Sequence, residues 1–220
     1  MSCSWSAGRP PDAGPSGPVM LLAVNDRSEV SRRAGSGWFL AGYAGVAGFF
    51  ALEAATREGG NATSLNASSD DQGTTRMIVT ACVVALAVAP LLRRIRSPRL
   101  PRAAGPAGLA LEASGLAVRA WSMRTLGPSY SRTLRTEAEQ RLIATGPYRL
   151  VRHPGYLGSL LTWTGFGLTS RSVPVVVLVG GLLGRAYRSR IAAEEQLLRR
   201  DLPSYAPYSD QTKRLIPFVW

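Results

Sequence analysis

A chain of 220 residues fits one domain with room for an unstructured leader. Its formal charge of +12 rests on 26 basic against 14 acidic residues, yet only 18% of the chain is charged and 45% is hydrophobic. Arginine clusters alternating with apolar stretches are how basic residues mark the edges of membrane spans, so the charge points to a membrane and not to nucleic acid. Cys3 and Cys82 make no disulfide framework, and one histidine with two distant cysteines builds no zinc site, so no metal is expected.

Residues 1–34 are rich in Pro, Gly, Ser and Arg, and their one apolar run, Val19 to Val24, is too short for a signal-peptide core. They are expected to form a disordered leader. Apolar segments follow at Trp38–Thr56, Met77–Leu92, Pro106–Met123, Tyr156–Ser170 and Val173–Tyr187. The fold class expected is all-α, a polytopic membrane bundle of about five transmembrane helices. Residues 35–123 would hold the N-terminal helices and 124–220 the functional half. Cys82, inside the second segment, reads as a small hydrophobe.

The last two segments are separated only by Arg171-Ser172 and must form a tight helical hairpin. Gly165, Gly167, Gly180, Gly181 and Gly184 are expected to let its two helices approach closely. Residues 124–155 carry six basic residues and 185–214 carry seven, and the hairpin puts both groups on one side. The positive-inside tendency makes that side cytosolic. Five clean spans place Arg93, Arg94, Arg96, Arg99 and Arg102 on the other side. Two Asn-x-Ser/Thr triplets, at Asn61 and Asn66, are read as coincidence in a Ser- and Asn-rich loop.

The chemistry-bearing residues gather in two places. In Thr145-Gly146-Pro147-Tyr148 the Gly-Pro pair predicts a sharp turn. A few residues on, Pro154 suits the first turn of a helix, with the only histidine, His153, at its cap and Tyr156 one turn in. The amide groups at such a start suit a carboxylate. Downstream, Arg190 and Glu194 share one helix face. The bland alternative is a capping histidine, interfacial tyrosines and a surface ion pair worth a few tenths of a kcal/mol.

From about Trp121 onward the chain resembles the isoprenylcysteine carboxyl methyltransferase family. The matching pieces are Leu126-Gly127, the stretch Gly146-Pro147-Tyr148 through Arg152-His153-Pro154-Gly155-Tyr156-Leu157-Gly158, the run from Arg190 to Glu194-Glu195, and the tail with Tyr205, Tyr208, Arg214 and Pro217. The resemblance implies S-adenosyl-L-methionine as methyl donor, bound by a cytosolic C-terminal segment. It also implies a lipophilic methyl acceptor, such as an isoprenylated cysteine, entering from membrane lipid. Carried over by position, the donor is lined by Gln140, Arg141, Leu142, Ile143, Tyr148, His153, Pro154, Gly155, Tyr156 and Glu194, while Arg190 contacts the acceptor carboxylate. Arg190 and Glu194 are then the catalytic pair. The composition suggests a bacterial cell membrane, with the site on the cytosolic face. Methylation of a phospholipid amine or small thiol is a second reading. A third is an NADPH-dependent sterol-type reductase, against which stand Gly155, where those enzymes typically carry Asn, and the Glu194-Glu195 pair.

Overall fold

The computed structural model describes residues 18–55, 71–127 and 142–216, with side chains from Ser36 onward. Every regular element among them is helical: α1 Pro18–Ala55, α2 Thr74–Arg94, α3 Ala104–Leu126, a single 3₁₀ turn Gly146–Arg149, α4 Pro154–Thr169, α5 Val173–Asp201 and α6 Tyr205–Gln211. The all-α expectation is met. The chain divides into two compact units, Met1–Ala34 and Gly35–Trp220. Residues 18–34, expected to lack regular structure, have a helical backbone in the first unit.

Within the second unit the five long helices alternate in direction. At one end Glu53 of α1 meets Arg119 of α3, and Arg119 donates to the Gly155 carbonyl in the first turn of α4. At the other end Arg93 of α2 donates to Ser36 of α1. There the α2–α3 connection also pairs with the α4–α5 turn, through Leu100 N–H to the Arg171 carbonyl at 3.0 Å. The Arg171 guanidinium returns two bonds to the Leu100 carbonyl. The hairpin expected around Arg171-Ser172 is therefore present, and the arginines from Arg93 to Arg102 lie at the end of the bundle opposite His153.

Two of these helices, Ser36–Ala55 within α1 and Thr74–Arg94, are long and apolar enough to cross a bilayer. The other three expected spans do not meet that criterion of length and hydropathy, for visible reasons. α3 carries Glu112 and Arg119 along its length, and α4 has only 16 residues, about 24 Å against a hydrocarbon thickness of ~30 Å. α5 turns polar from Arg185. Inside α2, Pro90 has no N–H for the Leu86 carbonyl. The Tyr43 hydroxyl donates to that carbonyl at 2.8 Å, so the proline leaves no orphaned acceptor in the apolar core.

The close approach predicted for the hairpin occurs elsewhere. Gly108 and Gly115 of α3 lie against Gly165 and Gly158 of α4, in antiparallel register. A Cβ at Gly158 would sit 2.7 Å from the Gly115 carbonyl oxygen, and one at Gly165 would sit 2.5 Å from that of Gly108. Of the expected hairpin glycines only Gly167 faces its partner, at Val176, whereas Gly180, Gly181 and Gly184 have open space beside them. Glycine thus sets the α3–α4 crossing and not the α4–α5 one. Gly42 and Gly45 of α1 leave room for the buried Glu112 side chain. Trp163, Phe166, Val179, Leu183 and Tyr187 fill the core between α1, α2, α4 and α5.

Gly158→Ala is expected to cost about 1–3 kcal/mol, because backbone on the facing helix must move. Gly180→Ala should instead gain about 0.5–1 kcal/mol from the better helix former. Thermal unfolding of the two variants in detergent checks this ordering.

Candidate functional site

The site is built where three chain segments meet at one end of the bundle. Gly146 opens the 3₁₀ turn with φ +56°, a conformation favouring glycine, and a Cβ there would crowd Thr125. Pro147 is buried at the second position of the turn, in the Gly-Pro pair that predicts it. Beyond the turn the backbone runs beside the chain's C-terminal stretch. Arg152 N–H bonds the Lys213 carbonyl at 2.8 Å and His153 N–H bonds the Arg214 carbonyl at 3.1 Å. His153 then caps α4 and Pro154 fills its first helical position. The hydroxyl of Tyr208 on α6 reaches back to the Tyr148 carbonyl at 2.6 Å.

One carboxylate ties these segments to α5. Glu195, 4% exposed, accepts from Arg152 Nε at 3.1 Å, from Arg214 Nε at 3.1 Å and from Arg214 Nη2 at 2.7 Å. His153 Nε2 lies 3.2 Å from the same carboxylate. Arg152 also donates to the carbonyls of Ser209 and Thr212. Burial alone would push Glu195 up, but the hydrogen bonds from His153 and Arg214 and the Arg152 charge hold it well below the usual carboxylate range.

The neighbouring carboxylate faces another way. Glu194, half-buried, accepts the Tyr156 hydroxyl proton at 2.5 Å. That hydroxyl in turn accepts from Arg190 Nε at 3.2 Å. The Tyr156 ring stacks on His153, with centroids 5.7 Å apart, and leans on Tyr187. A helix turns ~100° per residue, so successive glutamates on α5 meet different partners, Glu195 the tail and the α4 cap and Glu194 the Tyr156 hydroxyl.

Arg190 does not form the exposed pair of the bland reading. It is 3% exposed, and its Nη1 donates to Asp71, to Thr74 Oγ1 at 2.9 Å and to Thr75 Oγ1 at 3.1 Å. Asp71 precedes α2 and is itself fully buried. On the other flank Arg119 donates to Ser159 Oγ at 2.6 Å as well as to Gly155, fixing the first turns of α4 against α3.

Of the residues expected at the site, Tyr148, His153, Pro154, Gly155, Tyr156, Arg190 and Glu194 are brought to this end of the bundle. Leu142 and Ile143 lie half-buried in the irregular stretch entering the 3₁₀ turn. Gln140 and Arg141 fall outside the described residues. Sequence reasoning assigned no role to Arg152, Arg214 or Glu195, although all three lie in the family's pattern. It also missed Arg119 and Asp71. An acid followed closely by Thr-Thr before an apolar run signals a helix start, but nothing in the sequence aims it at Arg190.

Residues 108–200 match the model of the isoprenylcysteine carboxyl methyltransferase family. A "probable protein-S-isoprenylcysteine O-methyltransferase" of Oryza sativa subsp. indica is 31% identical over 115 residues, covering 51% of this chain and 60% of the relative. Protein-S-isoprenylcysteine O-methyltransferase A of Arabidopsis thaliana is 28% identical over 115 residues, covering 51% and 58%. The nickel-cobalt-cadmium resistance protein NccN of Alcaligenes xylosoxydans xylosoxydans is 29% identical over 76 residues, covering 34% and 36%. The chain spans less than two thirds of the length of these curated relatives.

Glu195 supplies stability that is present above its unfolded pKa of ~4.3 and is lost as pH falls through its depressed folded value. Exposure of the peptide bonds after Lys213 and Arg214 should therefore stay low from neutral pH to about 5 and rise below that. Glu195→Gln should open these sites at neutral pH and destabilise the protein by about 3 kcal/mol. Timed proteolysis across pH, read by mass spectrometry, checks both.

Proposed function

With residues 108–200 carrying the pattern of the isoprenylcysteine carboxyl methyltransferase family, we propose that the chain is an integral membrane O-methyltransferase. It uses S-adenosyl-L-methionine to esterify the carboxylate of an isoprenylated cysteine or a similar lipophilic acid. The observation that carries this reading is the division of labour between Glu194 and Glu195 beside the start of α4. One carboxylate holds the tail over the site, and the other remains at the site, half-buried, to face a cation.

The donor set fits S-adenosylmethionine, which carries a carboxylate together with an ammonium and a sulfonium. The start of α4 at Gly155 and Tyr156 suits the donor's carboxylate, and Glu194 suits its positive charge. Leu142, Ile143 and Tyr148 supply apolar and aromatic surface, and His153 serves as a wall locked to Glu195. When bound, the donor supplies an electrophilic methyl group on a sulfonium.

The protein's own task is positional. An α-carboxylate with an unperturbed pKa of about 3.5 is already ionised, so no general base is required. Holding the acceptor oxygen in line is worth roughly 7–11 kcal/mol of barrier lowering. Arg190 orients that carboxylate, and Tyr156, bonded to Arg190 and Glu194 together, links the acceptor side to the donor side. One C–O bond forms as one S–C bond breaks, with no proton transfer. The site lies at the cytosolic face, and the acceptor's lipid tail lies among the helices.

Calorimetry on the detergent-solubilised chain should show saturable S-adenosylmethionine binding and none for NADPH. His153→Ala and Tyr148→Ala should each raise the donor's Kd ten- to a hundredfold, the equivalent of about 1.5–3 kcal/mol of lost side-chain burial. Binding of NADPH without S-adenosylmethionine overturns the reading.

A further inference from the structure

The network around Arg190 is a finished carboxylate site, and the carboxylate in it belongs to the chain. Asp71 Oδ1 takes the Arg190 guanidinium and the Thr75 hydroxyl, the latter at 2.7 Å. Asp71 Oδ2 takes the Thr75 backbone N–H at 3.1 Å. Thr74 Oγ1 lies 3.3 Å from Oδ1, and both threonine hydroxyls also accept from Arg190. A cation, the Thr75 hydroxyl and a backbone amide thus converge on one buried carboxylate, and the Thr74 hydroxyl donates to the Asp71 carbonyl at 2.8 Å. The burial that would raise the Asp71 pKa is outweighed by Thr75 and then by Arg190, so it is held ionised.

Asp71 reaches this position through a tight, exposed turn. Gln72 and Gly73 both have positive φ, +48° and +75°, and fold residue 71 back over the start of α2. Both are exposed, and a Cβ on Gly73 would meet nothing within 4 Å. The turn therefore has space beside it, while the donors it serves are rooted in α2 and α5.

Building on the function proposed above, we propose that Thr74, Thr75 and Arg190 are the acceptor's carboxylate subsite and that Asp71 is its resting occupant. The acceptor carboxylate binds by exchange. Two carboxylates on one buried guanidinium would leave a net negative charge out of water, so Asp71 swings away with the Gln72-Gly73 turn as the acceptor arrives. Exchange also makes the site selective, because a neutral ester or amine cannot replace the charge that Arg190 gives up. Arg190 is never left unpaired between turnovers.

The test is equilibrium binding of an N-acetylated S-prenylcysteine and of its methyl ester to the full chain in detergent. Asp71→Asn should bind the acid at least tenfold more tightly than the unaltered protein does, with the ester unchanged. Asp71→Ser, which removes the same resident carboxylate, should also bind the acid more tightly and leave the ester alone. It decides the matter should Asp71→Asn fail to fold. Acid binding that is unchanged or weaker in Asp71→Asn, equal changes for acid and ester in Asp71→Ser, or no acid binding by any of the proteins overturns the proposal. Preferential acid binding in Asp71→Asn without methyl transfer refutes the proposed reaction and leaves the subsite standing. Transfer without that preference refutes the subsite alone.

Discussion

Glu195 is the contact on which this end of the molecule depends. Its carboxylate gathers Arg152 and His153 from the approach to α4 and Arg214 from the C-terminal stretch, and anchors all of them to α5. Without it three positive or hydrogen-bonding side chains would face one another with no counter-charge, in a place where burial makes each unpaired group costly. With it the backbone of residues 151–153 can lie along 213–214 and place His153 at the α4 cap. Helical geometry then turns Glu194 toward Tyr156, so one carboxylate assembles the site and its neighbour is part of it.

A second constraint comes from the helices. The Gly108–Gly165 and Gly115–Gly158 contacts bring α3 and α4 to backbone distance, and Arg119 pins the first turns of α4 to the same helix. The start of α4 is thus fixed from α3 on one side and from the tail on the other. α5 passes beside it with Arg190, which reaches across to the start of α2. The polar cluster is confined to one end of the bundle, and the opposite end carries Arg93 to Arg102 around the helix turns. Both ends of the bundle are basic, so arginine distribution alone does not give orientation.

Much of this was legible in sequence because it is local. The Gly-Pro turn, the His153-Pro154 cap, the Arg171-Ser172 hairpin and the shared face of Arg190 and Glu194 depend on residues a few positions apart. The family pattern held Glu195, Arg152 and Arg214 but said nothing of their joining one another. What the sequence hid were choices among equivalent residues at long range. Seven-residue glycine spacing occurs on α3 and α4, yet the run Gly180, Gly181 and Gly184 drew attention to the wrong helix pair. Asp71 sits 119 residues from Arg190, in a half with no motif. What hydropathy does not see is that Arg119 of α3 and Arg190 of α5 bury their charge against Glu53 and Asp71.

The central claim is that this polar end transfers a methyl group to a carboxylate. Membranes containing the full chain, incubated with S-adenosylmethionine labelled in its methyl group and an S-prenylcysteine acid, test it directly. The label should appear on the acid and be released by mild base as methanol, and Arg190→Lys should fail substantially because an ammonium lacks the two-pronged guanidinium contact. Label held in a base-stable linkage, or none on the acid from a folded, membrane-inserted protein, would contradict the account.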